Sequence, residues 1–326
     1  MTPTKHDDPW SQISANPSLV VGRRFDGCHA LAVYWVRDGD GSPGLVFRGM
    51  DVSAVPSKPP KFRNMSIHVS CGEDGRMETR LFLRAQDERD VFLNLCLDVI
   101  GYSAQCTDSD TATISVFRRL EHWQRLLSRG GLSELSAAEA RGLMGELLVL
   151  DRLALSIGME AALSAWTAPD DHPQDFAFGS GVIEVKTRLS GSRNHVHISS
   201  LEQLESDGLP IFLVVVELAP SRADGAVSLG SLVERLRSVA CAEGAACRDG
   251  LDSMLLRRGY FDHGNFDCDR YVEVGARAFA VGDGFPTILR SSVDHRIRQA
   301  SYSIDISGIG DFELPLDRAI GSLVGG

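Results

Sequence analysis

Two acids and a lysine stand out for what they could do together. Glu184 and Lys186 sit two apart in Val182-Ile-Glu-Val-Lys-Thr187, and Asp175 lies nine residues before Glu184. If that run is a strand, Glu184 and Lys186 leave one face, and Ile183 and Val185 leave the other. Between the acids, Gly179-Ser180 is the Gly-X pair of a two-residue type II′ turn. That turn pairs Phe178 with Gly181, Ala177 with Val182, Phe176 with Ile183 and, one step on, Asp175 with Glu184. Such neighbours stand about 5 Å apart at Cβ, close enough to share a cation and too close for both to stay comfortably ionised without one. A three-residue loop would send Asp175 to the wrong face.

Carboxylates on a rigid scaffold can hold a divalent ion, and the chemistry that asks for one beside a lysine is phosphodiester hydrolysis. There the ammonium of Lys186 stabilises charge developing on the attacking water or the phosphate. Glu146 is a fourth candidate. It lies at the margin of an apolar helical stripe formed by Leu143, Leu147, Leu150 and Ala154, where it either reaches the sheet or snorkels to solvent. Its neighbour Gly145 permits close approach of helix to sheet.

The elements that must carry these residues follow from patterning. Strand-like runs at 30–36, 44–47, 66–70 and 78–83, with hairpin loops at 39–43 and 72–75 and a helix over 87–100, predict a β-rich module without chemistry of its own. A helix over 113–128 is broken by Gly130-Gly131. Ser136-Ala-Ala-Glu139 then forms a capping box that opens the helix carrying Glu146, and Gly158 stops it. A hairpin over 174–189, a short helix near 201–206 and an all-apolar strand at 211–216 come next. Helices over 229–241 and 249–258 and strands over 271–281 and 300–306 complete the order. Apolar strands buried on both faces between helices predict a mixed α/β (α+β) sheet.

Composition narrows the classes. The chain has 326 residues, 43% hydrophobic and 24% charged, enough for one large or two ordinary domains. The longest apolar run, 211–216, is far short of the roughly 20 residues that span a bilayer, and no apolar signal core opens the sequence, so the expected compartment is the cytoplasm, without membrane. Seven cysteines lack any C-x-x-C pair and read as reduced thiols. A net charge of −11 has the wrong sign for coating nucleic acid, so any such contact is local or assisted by a partner. No Walker, G-x-S-x-G or G-x-G-x-x-G pattern supports an ATPase, a serine hydrolase or a dinucleotide enzyme. His195 and His197 read as surface histidines.

Gly142-Leu-Met-Gly-Glu-Leu147, Trp166, Gln174-Asp-Phe176, Glu184-Val-Lys-Thr187 and Val196-His-Ile-Ser-Ser-Leu-Glu-Gln-Leu204 resemble an uncharacterised branch of the PD-(D/E)XK nucleases found in prokaryotic defence gene clusters. The resemblance is clearest over 136–220. It implies a restriction-endonuclease-like core, a mixed four-stranded sheet flanked by helices, with Mg²⁺ (or Mn²⁺ in its place) at the acids and DNA as substrate. Glu146 is similar to the acid of the first core helix and a third metal ligand, Asp175 matches the first motif acid, and Glu184 and Lys186 match the E-x-K half. Gln203 resembles a supporting helix glutamine, and Arg188 stands where it could touch DNA. One departure is that Pro173 stands two before Asp175, whereas Pro169-Asp170 is the literal P-D; Asp175 is preferred because it begins a strand. The expected division is a β-rich module over 1–110 and a nuclease-like domain with a C-terminal extension over 111–326. Implied partners are DNA, an ATP-driven translocase or helicase, other defence subunits and a second copy in a homodimer. A non-catalytic DNA-binding or scaffold subunit and an RNA-directed nuclease are the alternatives.

Overall fold

Apolar runs punctuated by Gly and Pro fold into two principal sheets, each with its own helices. The computed structural model describes residues 8–72, 74–85, 88–128, 135–170, 172–206, 208–260 and 268–324. Two compact units divide the chain, Met1–Glu134 and, for the greater part, Leu135–Tyr260 with Phe266–Gly326. The helix break expected at Gly130-Gly131 lies outside the described residues.

In the first unit β1 (Val21–Arg24), β2 (Ala32–Arg37), β3 (Pro43–Met50), β4 (Met65–Cys71) and β5 (Met77–Leu83) form an antiparallel sheet of order β1-β2-β3-β5-β4. Helices α1 (Arg89–Ser103) and α2 (Ser109–Ser128) follow. Trp35 of β2 meets Trp10 edge-on at 5.1 Å, and Trp10 stacks on Phe92 of α1 at 5.6 Å. Buried Arg119 of α2 bonds Asp98 of α1 through two nitrogens, at 2.6 and 2.7 Å, a fork geometry suited to a desolvated pair. Helix α2 therefore completes this unit, and the division falls after Glu134 rather than at residue 110. Strand β1, with three exposed residues of four, carries no hydrophobic alternation to announce it.

The second unit begins with α3 (Ala137–Ile157) and α4 (Met159–Ala165), then β6 (Phe176–Phe178), β7 (Gly181–Leu189), β8 (His195–Ile198) and β9 (Ile211–Pro220). It continues with β10 (Val227–Ser228), α5 (Leu229–Glu243), α6 (Ala245–Arg257), β11 (Arg270–Val281), β12 (Tyr302–Asp305), β13 (Glu313–Leu314) and α7 (Leu316–Val324). The main sheet runs β10-β11-β9-β7-β6, with β13 also on β11, and only β7 and β9 are parallel. The expected mixed α+β sheet is present, its four-stranded core being β6, β7, β9 and β11, with β10 and β13 as short additions.

Strand β9 shows why its run is all apolar. Phe212, Val214, Val216 and Leu218 pack with Leu143, Leu147 and Leu150 of α3 and with α5, whereas Ile211, Leu213 and Val215 pack with β8 and β12. Each aliphatic so buried contributes about 1.5–3 kcal/mol, which pins the centre of the sheet. The capping box of α3 forms as expected, Ser136 Oγ accepting from Glu139 N at 3.2 Å and Glu139 Oε2 from Ser136 N at 2.8 Å. Gly158, at φ +83°, ends α3 and at once starts α4. One glycine serving two helices hides the second of them from a reading by stop signals.

Candidate active site

The β6–β7 hairpin has the register derived above: Phe178 faces Gly181, Ala177 faces Val182 and Phe176 faces Ile183. The next step outward brings Asp175 level with Glu184. The turn itself differs, because Gly179 is not among the glycines with positive φ that a type II′ turn requires. Loop length and the period-two burial of Phe176, Ile183 and Val185 are enough to set the register.

Strand β6 has three residues and β7 has nine, so β7 outruns its partner from Glu184 onward. The Val185 N–H on that open edge donates to Asp175 Oδ2 at 2.7 Å. Asp175 thereby finishes the ladder with a side chain, satisfying a donor that would otherwise be orphaned. Its own carbonyl accepts from Thr167 N and Ala168 N at 2.9 and 3.1 Å, which anchors it behind α4. The literal P-D acid, Asp170, lies instead in a short 3₁₀ turn, Ala168–Asp170, off the strand.

Glu184 is 1% exposed. Its Oε1 accepts from Lys186 Nζ at 2.6 Å, while Oε2 is buried without a hydrogen-bond partner among the described residues. Lys186 also donates to Gln203 Oε1 at 3.0 Å, and the same oxygen accepts from Ser199 N at 2.9 Å and Ser199 Oγ at 3.0 Å. Gln203 thus ties the ammonium to the backbone and hydroxyl of Ser199 through one shared oxygen. The 3₁₀ turn that carries it, Leu201–Leu204, is held by buried Gln174, whose Nε2 donates to Glu202 O at 2.5 Å and Glu205 O at 3.0 Å.

Glu146 approaches from α3, buried to 4% exposure. Gly145 is the reason it can: a Cβ there would collide with Thr187 Oγ1 of β7. Both oxygens of Glu146 have protein partners, Oε2 taking Trp166 Nε1 at 3.0 Å and Oε1 the Arg258 guanidinium. Arg188, expected near DNA, pairs with Glu217 on β9 at 2.8 Å and donates to Ser192 O. His195 and His197 are exposed on β8.

Burial raises the pKa of all three acids. Glu146 is pushed up to about 7 by burial and then by Asp175, against Arg258 and Trp166. Asp175 is raised by burial despite the Val185 amide and the charges of Lys186 and Arg258. Glu184 is raised well above the usual range by burial, then by Asp175, with Lys186 opposing. Three desolvated carboxylates within electrostatic reach of one another form an arrangement that a divalent cation relieves.

The donor set bears on whether such an ion fits. Among the described residues no three His, Cys, Asp or Glu side chains stand together as a ready ligand cage. Asp175 and Glu184 still offer hard oxygens, including the orphaned Oε2. Hard divalent ions are commonly held by one or two carboxylates with water completing the shell, and the donor chemistry of this pair suits such an ion.

Arg258 is the residue that sequence reasoning missed. It stands 112 positions from Glu146, and Arg257-Arg-Gly-Tyr260 carries no local sign that its second arginine meets an acid on α3. Trp166 and Gln174 were visible as motif residues without a role.

No curated protein and no solved structure matches the chain. One family matches residues 6–307, described as "Putative PD-(D/E)XK family member, (DUF4420)". That span contains Glu146, Asp175, Glu184, Lys186, Gln203 and Arg258, and the chain belongs to this PD-(D/E)XK family, which is of nuclease type.

Proposed function

We propose that the protein is a divalent-cation-dependent endonuclease that hydrolyses DNA phosphodiesters in a restriction or phage-defence system. Asp175 and Glu184 hold the ion, Lys186 faces the reacting phosphate, and Glu146 supports from α3. The observation that carries this reading is Glu184, buried beside a second carboxylate with Oε2 unpartnered. A purely structural ion pair gains nothing from such an atom, which costs about 1–3 kcal/mol. Magnesium, or manganese in its place, supplies Lewis-acid polarisation of the phosphoryl oxygen.

The chain's own residues do the positioning. Lys186, fixed between Glu184 and Gln203, keeps a point charge where negative charge grows on the phosphate. Asp175 is locked to the Val185 amide through Oδ2, so its carboxylate would meet an ion in a fixed orientation. Arg258 holds Glu146 and offsets part of the cluster's charge. The defence setting rests on the motif resemblance, and the net charge of −11 favours a partner, such as an ATP-driven translocase or helicase, that delivers DNA. A scaffold role is the second reading, favoured by Glu146 and Asp175 already having protein partners.

The test is incubation of the purified protein with supercoiled plasmid, linear duplex, single-stranded DNA and structured RNA, in Mg²⁺, Mn²⁺ or EDTA. Expected is metal-dependent nicking or linearisation of duplex DNA that EDTA abolishes. Cleavage confined to RNA reassigns the substrate, and no cleavage of any of the four in either metal leaves the scaffold reading.

A further inference from the structure

One face of the first unit's sheet carries a cluster of arginines over an apolar floor. Cross-strand register sets Arg24, Tyr34, Val46, Arg80 and His68 in a row across all five strands, and the adjacent row holds Arg48 beside Glu78. Cross-strand partners point to the same side, so these side chains share the face opposite Trp35. Arg48 lies over the Tyr34 ring at 5.1 Å, and Arg84, just past β5, lies over the Phe82 ring at 5.5 Å. The floor beneath is apolar, made of buried Val36, Val46 and Phe82. A Cβ at Gly44 would strike the Phe82 ring at 2.5 Å, so glycine there lets the floor lie flat. A shallow groove of about 220 Å³ opens between Tyr34, Arg48 and Arg80.

Four arginines face two carboxylates. Glu78 is shared by Arg48 and Arg80, and Asp38 takes Arg84 at 2.8 Å. Arg24 is exposed, with no ion pair among the described residues. Long stems that shade an apolar floor explain length but not sign, since glutamate, glutamine or lysine stems would cover it too. A local excess of guanidinium groups in a chain of net charge −11 is what a polyanion recognises, and the planar fork suits phosphate. Arg24 and Arg80 are three strand spacings apart, about 14 Å, on the scale of the roughly 12 Å width of a duplex major groove.

We infer that this open sheet face of the first unit is a docking surface for the phosphate backbone of duplex DNA. The inference rests on the nuclease reading only for the identity of the ligand. Duplex is favoured over single strands because the rings that bases would stack on, Tyr34 and Phe82, are already covered by Arg48 and Arg84. Capture thereby belongs to one unit and cleavage to the other.

The experiment is fluorescence anisotropy of a short labelled duplex with the full chain in EDTA, so that no cleavage intrudes, over a range of salt. Arg24→Ser/Arg48→Ser should raise Kd roughly tenfold near 0.1 M salt and shrink the log–log salt slope by about 1.8, since each lost phosphate contact removes about 0.9. Arg24→Lys/Arg48→Lys should keep the slope. Arg222→Ser/Arg298→Ser, two exposed arginines of the second unit, changes net charge equally and should leave binding unchanged. Because binding is read in EDTA, where no cleavage occurs, a failed cleavage reading and a failed docking surface are told apart. Thermal transitions matching the wild type exclude misfolding. Unchanged Kd and slope in Arg24→Ser/Arg48→Ser, or equal weakening in the Arg222→Ser/Arg298→Ser control, overturns the inference. So does weakened binding of a labelled single strand of the same length by Arg24→Ser/Arg48→Ser while its duplex binding stays unchanged.

Discussion

Asp175 has two jobs that substitution can separate: it caps the Val185 amide and adds negative charge to a buried cluster. Asparagine keeps the acceptor and removes the charge. Without metal at neutral pH, Asp175→Asn should therefore stabilise the protein, by about 0.5–2 kcal/mol, as is common when a strained functional group is neutralised. At about 2–4 °C per kcal/mol for a unit of this size, that is a rise in Tm of a few degrees. Alanine removes the charge and the cap together, leaving a donor unsatisfied at about 1–3 kcal/mol, so Asp175→Ala should fall below Asp175→Asn by that amount. Magnesium should reverse the first ranking. An ion at a hundred times its Kd stabilises the wild type by about 2.7 kcal/mol and Asp175→Asn far less. The assay is thermal denaturation of the three proteins in EDTA and in saturating Mg²⁺. An Asp175→Asn protein less stable than wild type in EDTA, or equal gains from Mg²⁺ in both, refutes the reasoning.

Other consequences follow from the same geometry. Gln203→Ala frees Lys186 from its orienting oxygen and should lower kcat about tenfold with KM little changed, and single-turnover kinetics with and without saturating DNA separates the two. Arg258→Ala leaves Glu146 with only Trp166 and should destabilise the metal-free protein by about 1–3 kcal/mol, whereas Arg258→Lys should recover part of it in urea unfolding. Gly145→Val drives a side chain into Thr187 and should cost about 1–3 kcal/mol through overpacking, read as a lower Tm. His29, whose Nε2 bonds Ser103 Oγ at 2.8 Å, has its pKa lowered from 6.5 by burial. Folding therefore favours its neutral ring, a stabilisation present above about pH 6.5 and lost as pH falls through the lowered folded value. The drop in Tm between neutral and mildly acidic pH should be shallower in His29→Gln.

The site was legible in proportion to how local its logic is. The hairpin register, the shared face of Glu184 and Lys186 and the approach at Gly145 follow from period-two alternation, a two-residue loop and a missing side chain, all within about forty residues of one another. The register survived a mistaken turn type because burying Phe176 and Ile183 on one side admits no slip. What escaped was non-local. Glu146 sits at the margin of an apolar stripe, a position that settles neither its partners nor its distance from the sheet. Arg258 meets it only because the end of α6 folds back against that region. The boundary escaped for a similar reason: α2 has an ordinary amphipathic pattern, and its unit is shown by non-local bonds such as the buried Arg119–Asp98 pair and Gln124 Nε2 to Lys61 O.

The most direct test of the account is single-turnover cleavage of duplex DNA at saturating Mg²⁺ by wild type, Glu184→Gln, Lys186→Met and Arg188→Ala. The account predicts losses of about 100-fold or more in the first two variants, complete inhibition of the wild type by EDTA, and near wild-type rates for Arg188→Ala, whose guanidinium serves Glu217. Cleavage that persists in Glu184→Gln or Lys186→Met, or that ignores EDTA, contradicts it.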